Sequence, residues 1–270
     1  MAGLLFAYMG PLPAPLLPRW DVMVREDGVR SALVTSDLNC NWLQAMENSV
    51  DPAHFYWLHN YAFNKTGREM DRGHMHEKNE FIRFDYGIMK RRTTPGKTPQ
   101  DPPTVDEHPL VFPNMLRNVT EARGRGPKVN GSEGKRDARH NIDIRVPIDD
   151  THTRLFCVYF TPSASDTAPP DQEHPYEYLE LMDAENAYRL DVIKAQDAMA
   201  WETQGGLADR SREHLGTGDR GVIMFRKLLR EQIDIVSKGG EPMGVIRDPE
   251  KNKFIDLDVI GESLGVFRPG

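Results

Sequence analysis

Cysteine is scarce in this sequence. Cys40 and Cys157 are the only two among 270 residues, too few for a disulfide framework in a chain of this size, so a reducing cytoplasm is the expected location. Long apolar runs are missing as well. Nothing approaches the roughly 20 residues that cross a bilayer, and no membrane partner is expected. The apolar opening MAGLLFAYMGPLPAPLLPRW has no basic leading region, and prolines interrupt the place where a signal peptide would be cleaved, so it is not read as a secretion signal. An excess of basic charge is also lacking: the net charge of -7 opposes a nucleic-acid surface. What is present is enough apolar residue, 39%, to bury a sizeable core as one large domain or two small ones.

Strands and helices are largely segregated along the chain, the pattern of an α+β fold. The β-branched and aromatic runs at 81–92 (FIRFDYGIMKRR), 141–149 (NIDIRVPID) and 154–160 (RLFCVYF) predict strands of an antiparallel sheet. Two Pro-rich stretches, 94–109 and 161–175, predict loops that hold neither helix nor central strand. The glycine-containing, mixed-charge segment 121–140 reads as a solvated loop. His74 and His76, in RGHMHEK, read as part of an exposed loop, Asp149, Asp150 and His152 as a turn and strand start, and His214 as a surface residue.

Two helices are predicted toward the C-terminus. One, at 219–236 (DRGVIMFRKLLREQIDIV), starts at Asp219 as N-cap and sets Val222, Phe225, Leu229, Ile233 and Val236 at core spacing. The other, at 184–205, carries the inward stripe Leu190, Ile193, Asp197, Trp201 and Gln204. Asp197 thus stands among apolar neighbours, where a carboxylate needs a cation, a donor or a proton.

The stretch CNWLQAMENSVDPAHFYWLHN (40–60) places Asp51, His54 and His59 close together. Taken alone, it is compatible with a core helix capped by Asp51, with Pro52 in its first turn and Phe55, Trp57, Leu58 and the histidines inward. It is also compatible with half of a metal site. In a regular helix five residues turn about 140° beyond a full circle, so a shared ion predicts an i→i+5 turn or a break between His54 and His59. Two imidazoles and a carboxylate suit six-coordinate ferrous iron with an open face.

The stretch ENSVDPAHFYWLH, with Asn41 and Trp42 upstream, resembles the iron-binding signature of Rieske non-haem iron oxygenases. The segment QDAMAWETQGGLADRSREHLGTGDRGVIMFRKLL resembles the part of the phthalate dioxygenase-like branch that carries the third ligand, and HPLVFPNMLR and RVPIDDTHT also look like family segments. The resemblance implies Fe(II) held by His54, His59 and Asp197. It implies a helix-grip, START-like catalytic domain in which a curved antiparallel sheet folds over a long C-terminal helix. The implied reaction uses O2 to dihydroxylate, monohydroxylate or oxidatively demethylate an aromatic compound. Asp51 is then no ligand but an electron-transfer bridge from His54 to a cluster histidine of a neighbouring subunit, and Asn48 is a candidate neighbour of the iron.

A Rieske 2Fe-2S cluster requires C-x-H and C-x-x-H pairs, and neither Cys40 nor Cys157 begins one. The cluster is therefore expected on a partner or on a domain outside this sequence. Residues 1–20 are expected to be a remnant strand or linker following a Rieske domain, and residues 21–270 the mononuclear iron catalytic domain. Expected partners are a Rieske-domain protein, an NAD(P)H-dependent reductase and further copies of the chain, as a trimer or a multiple of one. Two other functions compete: a small-molecule binding module with an inactive or unloaded metal site, and a zinc hydrolase, which would need a water-activating base beside the metal.

Overall fold

The computed structural model describes residues 1–65, 78–96, 98, 100–121, 138–163 and 174–257. His74, His76, the middle of the 121–140 segment and most of the 161–175 loop lie outside the described residues. A short helix α1 (Asp21–Val24) leads into strand β1 (Gly28–Thr35), followed by helices α2 (Trp42–Ser49) and α3 (Ala53–Lys65). Seven strands come next: β2 (Lys78–Phe84), β3 (Gly87–Thr94), β4 (Thr104–Val111), β5 (Met115–Glu121), β6 (Ala138–Pro147), β7 (Thr153–Pro162) and β8 (Tyr176–Leu179). Helices α4 (Ile193–Glu202) and α5 (Arg220–Ser237) complete the order. The architecture is α+β, as expected.

All eight strands form one sheet in the order β2-β3-β4-β5-β6-β7-β1-β8. Neighbours are antiparallel except β1 and β8, which run parallel. Because side chains alternate across a strand, the register sorts residues onto two faces. Met89, Val111, Ile142, Val158 and Phe160 pack with Trp20, Val22, Ile246 and Ile255 on one face. Ile88, Leu110 and Leu116 face the other way, against Met46 and Val50 of the α2 region and Val222, Phe225 and Leu228 of α5. Beside them, Leu155, Cys157 and Tyr159 meet Ala195, Ala198 and Trp201 of α4. Burying each large side chain of this kind stabilises the fold by roughly 1.5–3 kcal/mol.

The predicted strand at 81–92 is a hairpin, β2 and β3, joined at Asp85–Tyr86. The 94–109 stretch is a loop only in its first part, since Thr104–Pro109 belongs to β4. Pro109 is tolerated there because the β4–β5 ladder is confined to Leu110↔Leu116 and Val111↔Met115, so the preceding residues behave as an edge that needs no amide hydrogen there. The helix predicted from 184 begins only at Ile193. Before it, the Asp183 carboxylate accepts hydrogen bonds from the amides of Glu185 and Ala187, a local turn that competes with helix. Leu190 and Gln204 are exposed, leaving Asp197 and Trp201 as the buried part of that stripe.

In α5, Val222 and Phe225 are buried as predicted, but Ile233 and Val236 are exposed, and the buried side continues instead through Leu228 to Gln232. Asp219 stands at the N-cap position without capping the helix; its carboxylate accepts from Gly216 N in the preceding turn. The start of α5 lies hard against residue 50. A Cβ added at Gly221 would fall 2.3 Å from Val50 O, so glycine there lets two backbones meet directly before Asp51.

Candidate metal centre

The site is built where α2, α3 and α4 converge. Asn41 begins α2 by accepting Leu43 N at 2.9 Å. Gln44 then ties α2 to the end of α4: its buried amide donates to Trp201 O and Gly205 O, both at 3.0 Å, and accepts from Ala208 N. Four residues on, Asn48 Nδ2 donates to Asp197 Oδ1 at 3.4 Å.

Asp51 opens α3. Its carboxylate accepts from Ala53 N at 2.8 Å and from His54 N at 3.2 Å, capping the helix as the sequence predicts. The same Oδ2 lies 3.4 Å from His54 Nδ1 without closing a hydrogen bond. Burial pushes the Asp51 carboxyl up, but the His54 ring and the two amides outweigh burial and hold it below the usual carboxylate range.

His59 is buried and fully oriented. Its Nδ1 is 2.9 Å from Gln196 Oε1, and Gln196 Nε2 donates to Leu190 O. The Gln196 oxygen therefore accepts from Nδ1–H, which leaves the lone pair on Nε2. That Nε2 is 3.3 Å from Asp197 Oδ1. Burial raises the Asp197 carboxyl, yet His59, Lys194 and His54 together hold it at about 2, so it is an anion at neutral pH.

One ligand atom from each of His54, His59 and Asp197 lies within 4.8 Å of the other two. Atoms about 2.1 Å from a common ion are about 3–4 Å apart, and the His59–Asp197 separation falls in that span. The donor set and the free Nε2 of His59 fit a divalent cation. His54 fits too, since Nδ1 is turned to Asp51 and Nε2 remains.

The predicted break in α3 is not found: Ala53–Lys65 is a continuous α-helix. The two rings nevertheless stand 5.3 Å apart, edge to face. The wheel compares Cβ directions only, whereas helical side chains lean toward the N-terminus, so His59 reaches back over the turn that holds His54. Trp57 points outward with 70% exposure, and Tyr56 takes the buried place expected for it. Asp149 and His152 form the expected turn, with Asp149 Oδ1 accepting from Thr151 N, and His214 is exposed.

Two groups near the site escaped the sequence reading. Gln196 could have been found as a polar residue beside Asp197 on a buried helix. Lys90 and Arg92 share the strand parity of buried Ile88, and that was the available sign that they point inward.

A family model described as LigXa C-terminal domain like matches residues 172–255. The oxygenase subunit of 5,5'-dehydrodivanillate O-demethylase from Sphingobium sp. is 34% identical over 96% of this chain and 57% of its own length. The oxygenase subunit of phthalate 4,5-dioxygenase from Pseudomonas putida is 25% identical over 90% of this chain and 60% of its own. The chain is thus similar, over nearly its whole length, to oxygenase subunits. It spans somewhat more than half the length of these relatives. The crystal structure of dicamba monooxygenase bound to dicamba matches this fold with a TM-score of 0.51 at 14% identity, over 82% of this chain and 63% of that one. Among the described residues no helix is long and apolar enough to cross a membrane.

Proposed function

We propose that this chain is the catalytic part of an oxygenase that uses mononuclear Fe(II) and O2 to hydroxylate or oxidatively demethylate an aromatic compound. The observation that carries this reading is the grouping of His54, His59 and Asp197, one ligand atom of each within 4.8 Å of the other two, with Nδ1 of each ring turned toward another side chain. Relatives named for dehydrodivanillate, phenoxybenzoate and phthalate support an aromatic substrate. Ferrous iron in such a site supplies redox chemistry with dioxygen.

The residues of the chain do the rest. Gln196 fixes the His59 tautomer, Asn48 orients Asp197, and Asp51 orients His54. Asp51 is only part-buried, so a cluster histidine of a neighbouring subunit can approach its carboxylate. In this reading Asp51 links His54 to a Rieske cluster outside these 270 residues, which is reduced by an NAD(P)H-dependent reductase, and the working particle is a homo-oligomer.

The test separates oxidation from electron delivery. With iron loaded anaerobically, hydrogen peroxide brings both the oxygen and the electrons for ArH + H2O2 → ArOH + H2O, and slow hydroxylated product is expected from the 270-residue chain. NADH with a reductase alone should give none, and an added Rieske protein should restore turnover that Asp51→Asn removes while iron content stays. Sustained NADH-driven hydroxylation with only a reductase present would contradict the assignment of the electron route.

A further inference from the structure

The helix-covered face of the sheet carries several buried charges, and among the described residues all but one are matched. Arg92 binds both oxygens of Asp106, at 2.7 and 2.8 Å, and its Nη2 donates to His108 Nε2 at 2.7 Å. His108 Nδ1 in turn reaches Asn118 Oδ1 at 2.6 Å. Lys194 pairs with Asp143, which also lies 3.9 Å from the Arg145 guanidinium. Lys90, 4% exposed and directly across the ladder from His108, forms no hydrogen bond or ion pair with any described residue.

Its position points toward the metal centre. Lys90 lies between Ile88, packed under α2 and α5, and Arg92, whose guanidinium stacks 4.5 Å over the Phe55 ring of α3, next to His54. Asp51 and Asp106 are near enough to act on its charge, yet neither bonds to it. A buried ammonium without a counter-charge works against folding, so its retention calls for a group that arrives later. Burial first, then Arg92 and Arg145, pull the amine down to about 7, which marks how poorly its surroundings accommodate its charge.

We infer that Lys90 is the anchor for an anionic group of the substrate, a carboxylate on an aromatic ring, and so determines specificity in the site beside His54. The inference rests on the oxygenase reading for the aromatic part; the anchor itself rests on the unpaired cation. Arg92, locked by Asp106 and His108, flanks the incoming carboxylate without being free to replace Lys90.

The purified chain should be titrated calorimetrically with benzoate, 4-methoxybenzoate and 1-naphthoate, each against its uncharged amide, for wild type, Lys90→Met and Lys90→Arg. At least one carboxylate should bind wild type tenfold or more tightly than its amide. Lys90→Met should erase that preference and Lys90→Arg keep part of it, while the amides bind all three proteins alike. Without ligand, Lys90→Met should melt at the same or a higher temperature than wild type, a result that a structural role for the amine would not give. The anchor is overturned if no carboxylate is preferred to its amide, if Lys90→Met keeps the preference, or if Lys90→Met melts lower. Iron content of the same preparations separates the two readings: carboxylate preference with no iron bound removes the oxygenase and leaves the anchor, whereas iron bound with no preference removes the anchor alone.

Discussion

The two faces of the sheet each bury a cation, Arg117 on β5 and Lys90 on β3, and they treat it in opposite ways. On the face away from the helices, Arg117 is almost fully covered, donates to Asp21 Oδ2 at 2.6 Å and lies 2.7 Å from His140 Nδ1. On the helix-covered face, Lys90 is also buried and no carboxylate among the described residues bonds to it. A cation with its counter-charge in place belongs to the architecture. One without belongs to a site that is completed by something else, and it stands on the same face as the histidines and Asp197.

The sharpest way to break this contrast is to remove the counter-charge of the closed pair. Asp21→Ala leaves Arg117 buried without its carboxylate and should cost about 3–5 kcal/mol in urea denaturation, whereas Asp21→Leu combined with Arg117→Met should recover much of that loss. If Asp21→Ala costs under about 1 kcal/mol, the pair is not holding the outer face. Next in size is the support of His59. Gln196→Leu removes the acceptor for Nδ1–H and should weaken metal affinity about 10–100-fold, read by competition with a chelator, with the melting transition retained. Unchanged affinity would mean that His59 is oriented by something other than Gln196.

A smaller effect distinguishes the open side through pH. Lys90 is pulled from an unfolded value of about 10.4 to about 7 by burial, Arg92 and Arg145, against the opposing pull of Asp106 and Asp51. Between those two values the unfolded chain holds a proton that the folded chain has released, so stability should rise as pH climbs from about 7 toward 10. Comparing wild type with Lys90→Met at pH 7 and 9.5 isolates this contribution: the wild type should gain relative to the variant. A wild type that gains nothing over that range would mean the amine is held charged by an internal partner. The smallest effect belongs to the exposed Arg154–Asp37 pair, where Asp37→Asn should change stability by under about 1 kcal/mol.

Several parts of this fold were legible in the sequence because they follow local patterns. The runs within β6 and β7 alternate and are rich in β-branched and aromatic residues, and the first turns of α5 carry Val222 and Phe225 at helical spacing. Asp197 was visible as a charge on an apolar stripe. Other parts depend on tertiary placement that periodicity does not encode. Helix spacing argued against His54 and His59 meeting on a regular helix, and the family resemblance rather than the spacing joined them; their convergence comes from the lean and length of two imidazoles. Pro109 argued against a strand, and the short β4–β5 ladder is what allows one. Beyond strand parity, Lys90 and Arg92 carried no local sign of burial, because nothing in the run FIRFDYGIMKRR shows that helices cover that face of β3. Exposed Ile233 and Val236 mark the converse, apolar residues at helical spacing that leave the buried side to Leu228 and Gln232.

The central claim is that His54, His59 and Asp197 form one metal site, and metal content tests it most directly. The chain should be purified without oxygen, loaded with Fe(II), desalted and measured for iron beside His59→Ala, Asp197→Ala and the control Asp37→Asn. About one iron per wild-type and control chain is predicted, with iron lost from both site variants while their helical circular dichroism persists. Iron retained by the site variants, wild type that binds none, or tightly held zinc that Fe(II) does not displace would contradict the account.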